Sequence, residues 1–402
     1  MESSRELRHR LVELLVESRA IRSKAVRRAF LAVPRELFLP EIAEASGLDV
    51  VYSDEALPVQ HRDGLPTSSS SQPTIMAEML EALDLRGGES VLEIGLGTGY
   101  NAALLSRLVG PAGRVTSIDI DPGLAAKARQ ALADGGYAVT ALAGDGHQGW
   151  ADGAPYDRII ATASVGSVPR PWWDQLAPGG RLVVPLRIGA MQLVVVFART
   201  PAGLHSTQLI PGGFMYMRPD ADAPPQWLPT IAVGQEGEQI SASGPAIAGL
   251  LPEARDALRT YLASAPQVEP VEPRPGLSPL WHAAVTTDPG RQVIVHSGWS
   301  TVRFGLVDPA SGAICVLCVA RQGAGRRRAA RRHDVWVLDT IESYGPADAL
   351  RSELLAALDS WTSAGAPAFD RLTLDVTYEG DRPLWGQRTD EIDGQWVTLG
   401  WT

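Results

Sequence analysis

Residues 91 to 105 read VLEIGLGTGYNAALL, and this stretch decides the fold. An apolar run typical of a buried strand is followed by glycines at alternating positions, Gly95, Gly97 and Gly99, and then by a segment with helical spacing. Glycine has no Cβ, so such a turn lets the backbone approach a ligand closely. The same glycines can instead serve only tight packing of a strand against a helix, and the motif alone leaves both interpretations open.

The segments on either side alternate between helix and strand. Helix TIMAEMLEALDL precedes the motif, and after it come strand RVTSIDID, helix GLAAKARQALADGG, strands VTALAGD and DRIIATAS, helix PRPWWDQL and strand RLVVPL. This alternation predicts an α/β fold, with a doubly wound, Rossmann-like sheet covered by helices on both faces. Two further helices are predicted within residues 5 to 31, and an antiparallel hairpin is predicted after Pro185.

Acidic residues follow the predicted strands where a nucleoside would bind. Asp119 ends the next strand, where its carboxylate can accept both ribose hydroxyls, and Asp145 with Gly146 is placed to accept from an adenine amino group. The G-x-G-x-G spacing after Glu93 differs from the G-x-G-x-x-G that binds a pyrophosphate, so S-adenosylmethionine fits better than NAD. The predicted cofactor-binding residues are Glu93, Gly95, Gly97, Gly99, Asp119, Asp145, Gly146 and Thr162.

Composition limits the class of protein. The chain has 402 residues, of which 45% are hydrophobic and 20% charged, as expected of a globular protein with two domains. A net charge of -10 argues against nucleic-acid binding. The start lacks a signal-peptide pattern and no apolar run approaches a membrane span, so we expect a cytoplasmic protein with no membrane partner. Cys315 and Cys318 lie in a predicted strand without the second ligand pair that a zinc site needs, which favours two buried cysteines and no metal.

Proline-rich stretches suggest where the domains divide. Residues 218 to 232 and 266 to 279 are rich in proline and lack periodicity. The sequence therefore predicts a methyltransferase domain at 1–217, a linker region at 218–280 and a C-terminal α+β domain at 281–402, which we expect to recognise a peptide substrate.

The segment after the fourth predicted strand bears on the nucleophile. Methyltransferases acting on a base or amide nitrogen usually carry a polar-Pro-Pro-aromatic motif there, and DRIIATASVGSVP lacks it. An oxygen nucleophile is therefore favoured.

Over residues 1 to about 217, the chain resembles the protein-L-isoaspartate O-methyltransferase family. The resemblance is carried by VPRELFLP, YSDEALPV, SSSSQP, VLEIGLGTGYNAALL, SIDID, GDGHQGW, YDRIIATAS and LAPGGRLVVPL, in that order. It implies a doubly wound sheet with added N-terminal helices, S-adenosylmethionine as cofactor, and a peptide or protein substrate that carries Asp or isoaspartate.

The resemblance also implies an active-site loop. The family carries Thr-Ile-Ser-x-Pro before the glycine strand, and alignment on Pro73 places its serine at Ser71. Ser71 is therefore predicted to be catalytic and to lie at the cofactor, while Ser69 and Ser70 replace the Thr and Ile. Asp54 in YSDEAL is a second catalytic candidate, and capping of a loop is an equal alternative for it.

The altered loop and the length of the chain favour one branch of the family. Related enzymes encoded with ribosomal peptides (lanthipeptides, graspetides and lasso peptides) have C-terminal extensions and esterify an ordinary aspartate in a constrained, macrocyclic precursor, and the ester then closes to an aspartimide. General repair of isoaspartate is the alternative. A binding protein with a vestigial domain and a small-molecule O-methyltransferase are weaker ones, since the first ignores the complete glycine and aspartate set and the second has no use for the second domain.

The C-terminal half offers two further features. RQGAGRRRAARRHD, at 321 to 334, is either a loop for an acidic peptide or a solvated hairpin. The tryptophans of this half are more often core residues than a peptide groove, namely Trp281, Trp299, Trp385, Trp396 and Trp401.

Overall fold

The computed structural model describes residues 2–62, 65–223, 228–234, 239–296, 301–322, 335–378 and 388–401. The helices are α1 (Ser4–Glu17), α2 (Lys24–Ala32), α3 (Pro40–Ser46), α4 (Leu48–Val51), α5 (Pro73–Leu83), α6 (Tyr100–Val109), α7 (Pro122–Asp134), α8 (Arg170–Gln175), α9 (Pro245–Ala248), α10 (Pro252–Leu262), α11 (Ser278–Thr286) and α12 (Asp348–Ser363). Short 3-10 turns lie at Arg35–Phe38, Gly146–Gln148, Ala151–Gly153, Pro289–Arg291 and Phe369–Arg371.

The strands form three sheets. In chain order they are β1 (Leu57–Arg62), β2 (Leu65–Ser70), β3 (Ser90–Ile94), β4 (Arg114–Asp119), β5 (Thr140–Ala143), β6 (Tyr156–Ala161), β7 (Leu176–Ile188), β8 (Met191–Arg199), β9 (Gly203–Pro211), β10 (Thr230–Val233), β11 (Ile240–Ser243), β12 (Gln267–Pro275), β13 (Gln292–His296), β14 (Thr301–Val307), β15 (Ile314–Gln322), β16 (Val335–Tyr344), β17 (Leu372–Thr377), β18 (Arg388–Ile392) and β19 (Gln395–Trp401).

The largest sheet has ten strands in the order β18-β19-β17-β9-β8-β7-β6-β3-β4-β5. Strands β7, β6, β3, β4 and β5 run parallel, and the chain winds first from β3 towards β5 and then back through β6. This is the predicted doubly wound sheet, and its topological switch lies between β3 and β6. Ligands of such sheets bind at the carboxyl ends of the strands at the switch, which places the candidate site.

Local sequence explains where the helices beside this switch begin. Helix α7 starts at Pro122, and the Asp121 side chain accepts hydrogen bonds from the amides of Gly123 and Leu124 at 2.8 and 3.0 Å. Helix α1 opens with a capping box made by Ser3 and Glu6. The helices predicted within residues 5 to 31 are confirmed as α1 and α2.

A second, antiparallel sheet has seven strands in the order β10-β11-β13-β14-β15-β16-β12. Helices α11 and α12 lie against both sheets, since Trp281 and Leu354 belong to one buried cluster with Leu182 of β7 and Phe304 of β14. The two sheets therefore share a continuous apolar core. The C-terminal α+β architecture is confirmed in its general form.

Sheet membership does not follow the predicted domain limits in two places. The region expected to be a linker, 218–280, contributes β10, β11 and β12 to the second sheet. The chain then returns to the first sheet, because β17 pairs with β9 and extends the sheet through β19 and β18. Residues 203 to 205 of β9 would otherwise form an open sheet edge, and β17 pairs with them. Alternating hydrophobicity identified a strand near 372 but carries no information about its partner.

Both cysteines lie on β15, and both are free and buried, as predicted. Burial raises the pKa of the Cys315 thiol to about 11 and that of Cys318 to about 12, which leaves both thiols protonated and unreactive at neutral pH. Trp281 is a core residue, whereas Trp396 and Trp401 are partly buried. Trp299, Trp385 and the arginine-rich segment 323–334 lie outside the described residues.

None of the described helices is both long enough and apolar enough to cross a membrane.

Candidate active site

A cavity of about 750 Å³ lies at the carboxyl ends of the parallel strands. Hairpin β1-β2 and the start of α5 form one side, and residues 211 to 218, after β9, form the opposite side. The structure brings most of the predicted site residues together in its lining, namely Ser71, Gly95, Gly97, Asp119, Gly146 and Thr162. Strand order accounts for the convergence of Gly95, Gly97, Asp119, Gly146 and Thr162, because each lies at or after the carboxyl end of a parallel strand that meets this edge. Ser71 comes from the separate β1-β2 hairpin, which the tertiary structure places over the same edge.

The glycine turn is shaped so that side chains cannot occupy it. Gly95 has a φ of +99°, and a Cβ there would lie 2.3 Å from Oγ1 of Thr162. The Thr162 hydroxyl donates to the Gly95 carbonyl at 2.6 Å, which ties the turn to the end of β6. A Cβ on Gly146 would lie 2.7 Å from Cγ2 of Ile94. The turn is therefore a cradle of bare backbone, which suits close approach of a ligand.

Asp119 is held for ligand binding by backbone donors. The amide of Gly97 donates to Oδ2 at 2.8 Å and the amide of Asp121 donates to Oδ1 at 3.0 Å. Each carboxylate oxygen keeps a further lone pair, so both can accept a second donor from the cavity. Burial raises the pKa of Asp119 above its usual range, against the lowering effect of these backbone bonds. The arrangement fits a ribose diol.

Two glycine-motif residues lie behind the cavity instead of lining it. Glu93 is fully buried and accepts hydrogen bonds from Nδ2 of Asn101 at 2.8 Å and from the hydroxyl of Ser117. Gly99 has a φ of +90° and begins α6, and a Cβ there would press on Ala128 at 3.3 Å. Their predicted contact with the cofactor is not seen in the lining. Both positions serve the packing of the turn, which was the alternative interpretation of this motif.

Asp145 is also absent from the lining, although its neighbour Gly146 is present. Its Oδ1 accepts from the amide of His147 at 2.9 Å and contacts Nδ1 of the same residue at 3.0 Å. The carboxylate thus caps the short turn at Gly146–Gln148. Its acceptance of an adenine amino group stays a prediction.

The substrate side of the cavity contains Ser71. No described residue hydrogen-bonds to the Ser71 hydroxyl, while its carbonyl accepts from Nη2 of Arg35 at 3.1 Å. Ser69 also lines the cavity, whereas the hydroxyl of Ser70 turns away and accepts from the same Arg35 nitrogen at 3.2 Å. Of the two positions that depart from the family pattern, only Ser69 lines this cavity.

Asp54 caps α5 and does not line the cavity. Its Oδ1 accepts from the amide of Thr74 at 2.8 Å, and its Oδ2 accepts from the Thr74 hydroxyl at 2.7 Å and from Nε2 of Gln72 at 3.2 Å. Every polar atom of the carboxylate is engaged in holding the loop. The capping alternative describes its geometry, and its predicted catalytic contact does not appear.

Several lining residues were not anticipated. They come from α5, β8, the segment after β9 and the second sheet, and include Glu78, Gln192, Phe214, Tyr216, Arg218 and His296. Burial raises the pKa of Glu78 and lowers that of His296. The segment GGFMYMRP could have been identified from the sequence as part of the site, because it directly follows a predicted strand and lacks the alternating pattern of a strand itself. No local signal marked His296, which reaches the cavity through pairing of β13 in the other sheet.

The geometry restricts the chemistry. Within the described ranges, no group of three His, Cys, Asp or Glu residues is arranged to hold a metal ion. The cavity instead offers bare backbone, the oriented carboxylate of Asp119 and the hydroxyl of Ser71. A doubly wound sheet with this site at its switch point defines an S-adenosylmethionine-dependent methyltransferase.

Comparison with known proteins finds one family, by a family model and by individual relatives. The family model described as "Protein-L-isoaspartate(D-aspartate) O-methyltransferase (PCMT)" matches residues 6–215. A protein-L-isoaspartate O-methyltransferase of Hyperthermus butylicus is 42% identical over 208 residues, which cover 50% of this chain and 83% of that protein. Protein-L-isoaspartate O-methyltransferase 1 of Rhodopseudomonas palustris is 45% identical over 186 residues, 46% of this chain and 70% of the relative. This chain belongs to the protein-L-isoaspartate(D-aspartate) O-methyltransferase family and is a carboxyl O-methyltransferase that uses S-adenosylmethionine.

A solved structure extends the likeness of fold to the C-terminal half. It is a protein-L-isoaspartate O-methyltransferase with a TM-score of 0.53 and 24% identity, and the alignment covers 98% of this chain and 99% of that one. The sequence had matched the family over the first half alone. The whole architecture, with both large sheets, therefore has a counterpart among proteins of that name.

Replacing Asp119 with Asn should weaken cofactor binding. Hydrogen bonds to a charged acceptor contribute about 1.5 to 3 kcal/mol, so we expect the dissociation constant for S-adenosylmethionine to rise about 10- to 100-fold. Isothermal titration calorimetry measures this change, with Asp134→Asn, an exposed position at the end of α7, as the control. Equal affinity in the two variants would remove Asp119 from the site.

The buried Glu93 should make stability depend on pH. Burial raises its pKa from 4.5 to about 7, so its protonated form favours the fold. That contribution is fully present below the unfolded value of 4.5 and is lost as the pH rises through about 7. The free energy of unfolding of the parent protein should therefore fall relative to that of Glu93→Gln as the pH rises. We expect the difference between the two proteins to change by about 2 to 3 kcal/mol from about pH 5 to pH 8.

Urea denaturation at several pH values tests this expectation, and Glu44→Gln on the exposed face of α3 is the control. A constant difference between Glu93→Gln and the parent across this range would show that the carboxyl does not titrate as its burial predicts.

Proposed function

We propose that the protein esterifies the free carboxylate of an isoaspartyl residue in a peptide or protein. The observation that carries this proposal is the position of Ser71: its hydroxyl has no partner among the described residues and lines the same cavity as Gly95, Gly97 and Asp119. S-adenosylmethionine supplies a methyl group on a positively charged sulfur, and transfer yields a methyl ester and S-adenosylhomocysteine. A carboxylate is already ionised at neutral pH, so the site needs no general base.

The chain's own contribution is orientation and exclusion of water. The Ser71 hydroxyl can donate to one oxygen of the substrate carboxylate and so direct the other towards the methyl group. Arg35 fixes the Ser71 carbonyl, which limits the motion of this loop. Apolar side chains of Ile75, Phe214 and Met215 line the cavity beside it and exclude water from the reacting oxygen.

The walls have room for a polypeptide. A smaller cavity of about 340 Å³ adjoins the main one and shares with it Gln192, Phe214, Tyr216 and His296. Thr230, Ser243 and Ile294 of the second sheet line this extension. We infer that residues on one side of the modified aspartyl residue occupy it, which gives the second sheet a part in recognising the peptide.

A constrained ribosomal precursor is the second candidate substrate. In that case the enzyme would esterify an ordinary aspartyl side chain, and attack by the next backbone nitrogen would expel methanol and form an aspartimide. The observation in favour is the serine at position 69, which lines the substrate side where the family pattern has threonine. The length of the chain no longer supports this candidate by itself, since a protein-L-isoaspartate O-methyltransferase aligns over 98% of it.

Two substrates separate the candidates. The enzyme and S-adenosylmethionine are incubated with an isoaspartyl peptide or with a cyclised precursor peptide encoded beside the enzyme's gene, and the products are followed by mass spectrometry. We expect a mass gain of one methylene unit on the isoaspartyl peptide. The same gain followed by loss of methanol on the precursor alone would establish the second candidate, and methylation of neither would contradict both.

Ser71→Ala should lower turnover without a comparable loss of cofactor affinity. Loss of one oriented donor typically costs about 10- to 1000-fold in kcat, because the carboxylate is no longer directed at the methyl group. Steady-state kinetics and calorimetry together make the test. Ser53→Ala, whose hydroxyl donates only to the Val50 carbonyl, is the matched control. Full activity in Ser71→Ala would remove this residue from the mechanism.

A further inference from the structure

A second polar pocket of about 320 Å³ lies beside the cofactor cavity. It shares Tyr216 and Met217 with that cavity and is otherwise lined by His147, by residues 164 to 167 after β6, by Arg187 of β7 and by residues 228, 229 and 393. We call it the side pocket.

Two residues that line the side pocket have buried hydroxyl groups without a close hydrogen bond in the described part of the chain, although Gln192 lies beside the Tyr216 hydroxyl. Buried side-chain polar atoms without a hydrogen bond number eight in the described part of the chain, and the hydroxyls of Ser164 and Tyr216 are two of them. Ser164 is only 1% exposed, and it forms an isolated bridge with Tyr216, so the two side chains are neighbours. A buried hydroxyl without a partner is costly unless a ligand supplies one.

Arg187 supplies a positive charge at the same place. Its guanidinium lies over the Tyr216 ring at 5.8 Å, and no described residue accepts a hydrogen bond from it or forms an ion pair with it. The backbone fixes its position, because the Arg187 amide donates to the Val165 carbonyl at 2.9 Å. Gly166 leaves room for it: a Cβ there would lie 3.3 Å from Nη2 of Arg187.

Other charged groups face the pocket from its exposed side. Asp393 lies on the tight turn between β18 and β19, is exposed, and accepts a hydrogen bond from the Ser167 hydroxyl. His147 is paired with Asp145 at 3.0 Å. Asp393 and Asp145 thus have partners at the rim, while Arg187 has none among the described residues and lies beside the Tyr216 and Ser164 side chains.

We propose that Arg187, Tyr216 and Ser164 bind a second carboxylate of the substrate peptide, distinct from the one that is methylated. Guanidinium and hydroxyl groups are all donors, and a carboxylate accepts from several donors at once. An Asp or Glu side chain of the peptide is the ligand. Because the side pocket adjoins the cofactor cavity, we expect the acidic residue to lie close in sequence to the reacting aspartyl. The inference rests on the proposed function, since it gives that substrate a sequence preference.

The test uses amidated isoaspartyl peptides that carry either Glu or Gln at one position, scanned from three residues before to three residues after the isoaspartate. Dissociation constants are measured by calorimetry with S-adenosylhomocysteine present, so the result does not depend on turnover. At one position we expect the Glu peptide to bind about tenfold or more tightly than its Gln counterpart. A Gln peptide with a free C-terminal carboxylate distinguishes a terminal carboxylate from a side chain as the ligand.

Two variants and a control connect the preference to the pocket. Arg187→Gln should bring the Glu-to-Gln ratio close to one, and Tyr216→Phe, which removes only the hydroxyl, should lower it by a smaller factor. Arg86→Gln is the matched control, because this side chain is 80% exposed and precedes β3, at the opposite edge of the sheet. Its ratio should equal that of the parent protein.

Two results would overturn the inference: a parent protein that binds Glu and Gln peptides equally at every position, or a preference that survives Arg187→Gln. Methylation assays on the same peptides keep the two proposals apart. A clear Glu preference in binding without any methylation would count against isoaspartate as the substrate and would leave the carboxylate subsite supported.

Discussion

The Arg35 side chain is the interaction on which the active-site loop depends. It is completely buried, and its terminal nitrogens donate to the carbonyls of Val51, Ser53, Glu55 and Ser71 and to the hydroxyl of Ser70. Burial lowers its pKa, yet a guanidinium remains charged in proteins. Four carbonyl dipoles stabilise the charge directly, and the Asp54 carboxylate adds to this, since it raises the pKa of Arg35. The terminal nitrogens bind five acceptors from two segments of the chain, so one charged group holds both segments together.

The two walls of the cavity next to this loop differ in the side chains that they present. The glycine turn, Glu93 and Gly99 pack β3 against the helices, and they shape a cradle that bare backbone lines. Asp119 is oriented by two backbone amides before any ligand arrives, so little ordering entropy is lost on binding. The opposite wall of the cavity comes from the segment after β9 and from β13. It carries large aromatic and imidazole side chains, Phe214, Tyr216 and His296, where the cofactor side has bare glycine backbone.

The second sheet is held against the catalytic sheet by a shared apolar core and by the return of the chain to the first sheet at β17. Strand β17 pairs with β9, and the Leu374 amide of that strand donates to the Ser206 hydroxyl at 2.7 Å. Helices α11 and α12 fill the space between the sheets with a shared apolar core. A continuous core of this kind resists independent motion of its halves, because sliding one sheet against the other would expose apolar surface to water. The wall that β13 gives to the cavity is therefore held in register with Ser71.

Sequence alone determined the parallel half of the fold, the cofactor class and the family, because these depend on local signals: strand-helix alternation, the glycine turn and acidic residues at strand ends. It also predicted a catalytic role for Ser71 through a motif a few residues long, and the structure places this residue in the cavity lining. It assigned Asp54 to catalysis and Glu93 to the cofactor, whereas the fold turns the first towards Thr74 and the second towards Asn101. Which way a side chain points at a strand end depends on neighbours distant in sequence.

The domain limits, the pairing of β17 with β9, and the arrival of His296 and Arg187 beside Tyr216 were decided only by the tertiary structure. Hydrophobic periodicity shows that a segment is a strand and which face is buried, but strand partners are chosen by the burial of apolar surface and the satisfaction of edge hydrogen bonds across the whole chain.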